Sequence, residues 1–153
     1  MRRWLMKTEP DTFSIDDLKQ RRVEPWNGVR NYQARNFIRA MARGDEVMIY
    51  HSSCAVPGIA GLAKVASAPY PDPGQFDPRD DYFDAASDRG NPRWSLVDVR
   101  FVRKLKRVIT LDEIKRLHGL GDFSLTRRGN RLSVLPVSDA QWQAILALER
   151  VSG

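Results

Sequence analysis

Twelve residues, Pro25-Trp26-Asn27-Gly28-Val29-Arg30-Asn31-Tyr32-Gln33-Ala34-Arg35-Asn36, hold two aromatics, two arginines, three asparagines and a glutamine, and no carboxylate. Aromatic faces stack on planar rings, while amides and guanidinium groups read base edges and hold phosphates. That inventory suits a flat, polar heterocycle such as a nucleobase. The same residues also suit an ordinary capped loop whose tryptophan plugs the core, and the segment alone leaves both readings open. Proline followed by Asn-Gly dictates a turn in which Gly28 tolerates positive φ. Asn31 is a good helix N-cap, and Ala34, Phe37, Ile38 and Met41 then share one helical face.

Other chemistry is thinner. Arg127-Arg128-Gly129-Asn130-Arg131 is either a phosphate-holding turn or a solvated one. Of four tryptophans, Trp142 and Trp4 belong to the core, and Trp26 and Trp94, in loop settings after proline or Pro-Arg, are the candidates to face a ligand. His51 and Cys54 sit where a strand gives way to a loop, but no other signature of a thiol enzyme accompanies them. Two histidines and one cysteine, without a Cys-x-x-Cys, point to no metal site. The carboxylates between Asp77 and Asp88 lack calcium-loop spacing and read as a solvated acidic loop. No Walker motif or dinucleotide glycine pattern is present, so no cofactor is expected.

With 25 Lys+Arg against 19 Asp+Glu, the chain of 153 residues carries +6 and favours polyanions. The sign is uneven. Arg100, Arg103, Lys104, Lys106 and Arg107 fall within one run, whereas Asp72 to Asp88 contains six aspartates and Arg79 as its one cation. No apolar run approaches the roughly 20 residues of a membrane span. A single cysteine and the lack of a secretory signal pattern lead to the expectation of a cytoplasmic protein. One domain over 1–153 is expected, and a monomer.

The elements that must position these residues follow from capping and alternation. Strands are predicted at Arg3–Lys7, Glu46–Ser52, Gly58–Ala66, Trp94–Leu105 and Leu132–Val137. Helices are predicted after Ser14 and Asn31, and after the capping boxes Thr110-to-Glu113 and Ser138-to-Gln141. Between Pro69 and Pro92 lies a proline-punctuated segment too long for a bare connector, either a lid or a packed wrap. Strands and helices do not alternate regularly, so the class is α+β, a curved sheet or small barrel with helices around it.

Several of these segments together resemble the EVE domain family. They are Trp4 to Pro10, Trp26 to Asn36, Tyr50-His51-Ser52, Pro57-Gly58-Ile59, Tyr70-Pro71-Asp72-Pro73, Pro92-Arg93-Trp94 and Arg127 to Ser133. The resemblance spans nearly the whole chain. Thr8 stands where serine is common, and Asn27 where aspartate is common, so no carboxylate is offered there. The resemblance implies a PUA-like β-barrel with peripheral helices, related to the YTH and ASCH domains. It further implies a pocket for a flipped, modified base, such as methylated or hydroxymethylated cytosine in DNA or a modified RNA base. On that pattern Trp26, Asn31, Tyr32, His51, Ser52, Trp94 and Asn130 form the pocket. Arg30, Arg35, Arg127, Arg128 and Arg131 face the nucleic-acid backbone. Binding without catalysis is the expected activity. The rivals are a nucleic-acid-processing enzyme on the same barrel, with Lys7, Glu9 and His51 as acid–base groups, and a small-molecule-binding domain.

Overall fold

Met48 and Tyr50 point one way from their strand and Val47 and Ile49 the other, yet all four are buried. Both faces of the sheet are therefore covered, which explains why the central strands read as nearly unbroken apolar runs. In this computed structural model, which describes residues 1–150, one core gathers Trp4, Met6, Val47 and Ile49 with Ile15, Trp26 and Ile38. The second gathers Leu5, Met48 and Tyr50 with Ile114, Trp142 and Ile145.

The strands are β1 (Arg3–Thr8), β2 (Val23–Pro25), β3 (Glu46–His51), β4 (Gly58–Val65), β5 (Tyr70–Pro71), β6 (Ser95–Leu96), β7 (Asp98–Thr110) and β8 (Val134–Val137). Six form one mixed sheet in the order β2-β7-β4-β3-β1-β8, and β5 pairs separately with β6. Among the described residues β1 and β3 run parallel and the other strand partners are antiparallel. Irregular register between β4 and β7, at Ile59/Gly61 and Leu62/Ala63, and between β3 and β4, at Ile49/Tyr50, bends the sheet into a strongly curled half-barrel. The expected Trp94–Leu105 strand is divided. Ser95–Leu96 leaves to pair with Tyr70–Pro71, and β7 runs on to Thr110.

The helices are α1 (Ile15–Arg21), α2 (Tyr32–Ala40), α3 (Leu111–Lys115) and α4 (Asp139–Ala147), and each begins at its expected cap. Ser14, Thr110 and Ser138 form capping boxes, and the Asn31 side chain accepts from Ala34 N–H. Gly61 lets α1 approach the sheet, since a Cβ there would lie 2.3 Å from Ile15 Cδ1. None of these helices is long and apolar enough to cross a membrane.

The proline-punctuated segment is anchored at its start, while Asp81 and Asp88 of the Asp77–Asp88 stretch are exposed as expected for a solvated loop. Asp72 is 1% exposed. It accepts from Gly28 N–H (2.9 Å), Gly74 N–H (2.9 Å) and Arg30 Nη1 (3.0 Å). Gln75 is fully buried, and its amide donates to the carbonyls of Asp72 and Trp94 and accepts from Ser87 Oγ and Trp94 N–H. Asp84 accepts the Trp94 indole N–H at 2.7 Å. Short polar side chains that bond nearby backbone let a proline-broken segment satisfy its own polar groups, so it is a packed wrap.

The basic run along β7 is largely committed to carboxylates. Arg103 forks onto Glu149 (2.9 and 2.8 Å), Arg107 onto Glu113 (2.8 and 2.7 Å), and Lys104 reaches Asp16 at 3.0 Å. The guanidinium hydrogen bonds hold the Glu113 and Glu149 carboxyls down at about 2, from 4.5. Their unfolded forms bind protons first as pH falls, so this stabilisation is present above about pH 4.5 and drains away towards pH 2.

Two predictions follow from these bonds. A Glu113→Gln/Glu149→Gln double variant is less stable than wild type near neutral pH, and the gap in unfolding midpoint closes between about pH 4.5 and 2. A gap that stays constant across that window contradicts the assignment. Asp72→Ala leaves Arg30 without its buried counter-charge and should cost about 3–5 kcal/mol in denaturant unfolding. A loss within error of zero would show that the wrap does not depend on Asp72.

Candidate nucleic-acid interface

The Pro25–Asn31 turn is pinned at three points. Pro25 ends edge strand β2, Trp26 N–H donates to Val97 O (2.9 Å), and Gly28 N–H donates to Asp72. Gly28 has φ +83°, and a Cβ there would lie 2.7 Å from Tyr82 Cε2. Glycine is thus required twice, for its backbone and for the aromatic ring resting on it. Tyr82 comes from the acidic wrap and is fixed by Arg30, whose Nε donates to Tyr82 O (2.9 Å) and whose guanidinium lies over the ring.

This turn walls a cavity of about 670 Å³. Its other walls are the end of β1 (Lys7, Thr8, Glu9), Thr12 and Phe13 before α1, Arg21 and Glu24, Ser52 and Ser53 after β3, Tyr82, and Arg131 with Ser133. Phe13 meets Trp26 edge to face, with centroids 5.9 Å apart. Trp26 is only 8% exposed, so one indole serves both the core and the cavity. Ser52 is held by its N–H to Thr8 O (2.9 Å), and Ser53 takes a left-handed φ of 53°. The cavity therefore offers flat apolar faces, several hydroxyls and charges of both signs. Its size lies within the range of small-ligand sites.

Of the residues expected to form the pocket, the structure gathers Trp26 and Ser52 on its wall, joined by Arg131 from the expected backbone-facing set. The others do not line it. Asn31 is exposed and its carboxamide oxygen is committed to Ala34 N–H as the α2 cap. Tyr32 stacks on Trp94 at 4.9 Å, and buried Trp94 turns its indole to Asp84. His51 Nε2 accepts from Ile15 N–H at 3.1 Å, and burial lowers its pKa, which favours the neutral acceptor form. Asn130 spans its own turn, accepting from Leu132 N–H (3.0 Å) and donating to Ser124 O.

The arginines divide as well. Arg30 is paired with Asp72, Arg35 donates to Arg93 O (3.1 Å) and covers the Tyr32 ring, and Arg127 pairs with Asp122. Arg128 and Arg131 are exposed. Lys7 and Glu9 share the cavity, but His51 is turned to the α1 backbone, so the three do not assemble as an acid–base set.

Phe13 and Tyr82 were not foreseen. Phe13 precedes the Ser14 cap, a position from which an apolar side chain packs back on its surroundings. For Tyr82 the one clue in the sequence was Gly28, a glycine that leaves room for something from elsewhere.

Comparison with known proteins places the chain. The EVE domain model matches residues 2–148. Human thymocyte nuclear protein 1 is 44% identical over 165 residues, covering 95% of this chain and 73% of that protein. A Pseudomonas syringae protein of known crystal structure is 50% identical with a TM-score of 0.93, covering 96% of this chain and 99% of that one. The crystal structure of human THYN1 protein in complex with 5-methylcytosine-containing DNA is 42% identical with a TM-score of 0.95, over 100% of both chains. With its curled mixed sheet and peripheral helices, and with that family model matched along almost its full length, the chain belongs to the EVE domain family and has its PUA-like fold.

Proposed function

We propose that this chain binds nucleic acid and takes an extruded, modified base, of the 5-methylcytosine kind, into the Trp26 cavity without making or breaking bonds. One observation carries the reading. The cavity beneath the Phe13–Trp26 pair lies in a chain 42% identical to a protein whose structure holds 5-methylcytosine-containing DNA. Trp26 and Tyr82 supply the ring faces, and Ser52 and its neighbours the edge contacts. Arg131 at the cavity and the exposed Arg128 hold the strand.

Asn31, Tyr32, His51, Trp94 and Asn130 act from behind this wall. They cap α1 and α2, stack against the wrap and close the turn, so they fix where the cavity residues stand. Arg30 acts likewise, through Asp72 and Tyr82. A binding role fits better than catalysis because His51 Nε2 is already used as an acceptor for α1.

Stacking contributes about 1–3 kcal/mol per base, whereas one buried methyl adds only about 0.8 kcal/mol. Affinity for the base should therefore exceed the preference for its modification. Tyr82 is 47% exposed, so its removal separates binding from folding. Tyr82→Ala should weaken binding of a duplex carrying one 5-methylcytosine by about 1–3 kcal/mol while the melting temperature barely moves. Unchanged affinity in that titration takes Tyr82 out of the site. Arg131→Ala should weaken methylated and unmethylated duplexes alike and flatten the salt dependence by about 0.9 log units per log unit of salt. An unchanged slope removes Arg131 from the backbone contacts.

A further inference from the structure

Lys7 stands on the cavity wall with its ammonium 5.7 Å from the centroid of the Tyr50 ring. Its backbone is fixed, because Lys7 N–H donates to Ser133 O at 2.8 Å and β1 is paired on both sides. Of the other cations on the cavity wall, Arg21 has Glu24 as a carboxylate neighbour and Arg131 is exposed. Among the described residues no carboxylate lies within 4.0 Å of the Lys7 ammonium. Burial lowers its pKa, the direction expected where a charge lacks full compensation. A ring face engages one side of the part-exposed ammonium and leaves its N–H groups to water. A ligand entering the cavity can take the place of that water.

An ammonium has three donors and no acceptor. That restricts which base edge it accepts. Cytosine carries two adjacent acceptors on its pairing edge, N3 and O2. Thymine and uracil place an N3–H donor between their two carbonyls, which repels an approaching ammonium. The 5-methyl group cannot make this distinction, since 5-methylcytosine and thymine share it. We propose that Lys7 reads the N3/O2 edge of the base in the cavity and so selects cytosine over thymine whatever the substituent at C5. The inference rests on the base-binding reading above and names the residue that sets which base is bound.

The test uses the full chain and short duplexes bearing one 5-methylcytosine, thymine or 3-deaza-5-methylcytosine, each opposite an abasic site so that pairing does not bias extrusion, with binding followed by fluorescence anisotropy. Wild type should favour 5-methylcytosine over thymine by about tenfold, the middle of the range for a paired edge contact. Lys7→Met should bring that ratio towards one. The 3-deaza base, which has C–H in place of N3, should lose the same factor on wild type and nothing further on Lys7→Met, a coupling that needs no assumption about the variant's stability. If instead Lys7 holds phosphate, the variant weakens every duplex equally, the salt slope flattens, and the unchanged ratio overturns the proposal. Wild type that prefers 5-methylcytosine over thymine but is indifferent to the 3-deaza change also overturns it, while leaving the base-binding reading intact. Wild type that binds no methylated duplex better than its thymine or unmodified counterpart overturns that reading and this inference together.

Discussion

A single buried carboxylate joins the two irregular segments on which the candidate site depends. Asp72 accepts hydrogen bonds from Gly28 N–H, Gly74 N–H and the Arg30 guanidinium, and so ties the Pro25–Asn31 turn to the proline-rich wrap. Burying a charge is costly unless it is paired and hydrogen-bonded, and the Asp72 carboxylate meets both conditions, while Arg30 Nη2 stays buried without a partner. The consequence is positional. With Gly28 fixed, Trp26 is held between the core and the cavity. With Arg30 fixed, Tyr82 is laid over the glycine that makes room for it. Two loops thereby acquire the rigidity that precise binding requires.

The sheet supplies the opposite face of the cavity by different means. Strands buried on both sides cannot slip, because a one-residue shift would exchange two packed cores. The ends of β1 and β3 are therefore reliable mounts for Lys7, Thr8 and Ser52. Several cations are meanwhile committed to structure. Arg103 and Arg107 secure Glu149 and Glu113, and Arg30 neutralises Asp72. Each such pair uses one charge of either sign, so the excess of +6 falls to the remaining cations, among which Arg131 stands at the cavity.

What could be read in the sequence was local. Helix starts at Ser14, Asn31, Thr110 and Ser138 depend on a side chain three residues from its partner, and all four are where the spacing puts them. Most of the strands followed from alternation, although the three-residue β2 was too short to carry a period. Long-range pairing left no such trace. Asp72 meets Gly28 across 44 positions, and an aspartate in an acidic proline-rich stretch looks like any solvated residue. The same blindness affected the site. Asn31, His51 and Trp94 have the chemistry of ligand contacts, but Asn31 Oδ1, His51 Nε2 and the Trp94 indole N–H are taken by Ala34, Ile15 and Asp84. Residue type shows what a side chain can bond, and the fold decides which bond it makes.

The four indole N–H groups offer the most direct view of base entry into the Trp26 cavity. Trp4 and Trp94 donate theirs to Asp45 and Asp84, and Trp142 is buried in the second core. In a nitrogen–proton NMR titration with a duplex carrying one 5-methylcytosine, the Trp26 indole resonance should shift most, the Trp4 and Trp142 resonances should stay in place, and the unmethylated duplex should shift Trp26 less at equal concentration. A titration in which the Trp94 resonance moves and the Trp26 resonance does not would contradict base entry beneath Trp26 and move the ligand to the Tyr32–Trp94 stack.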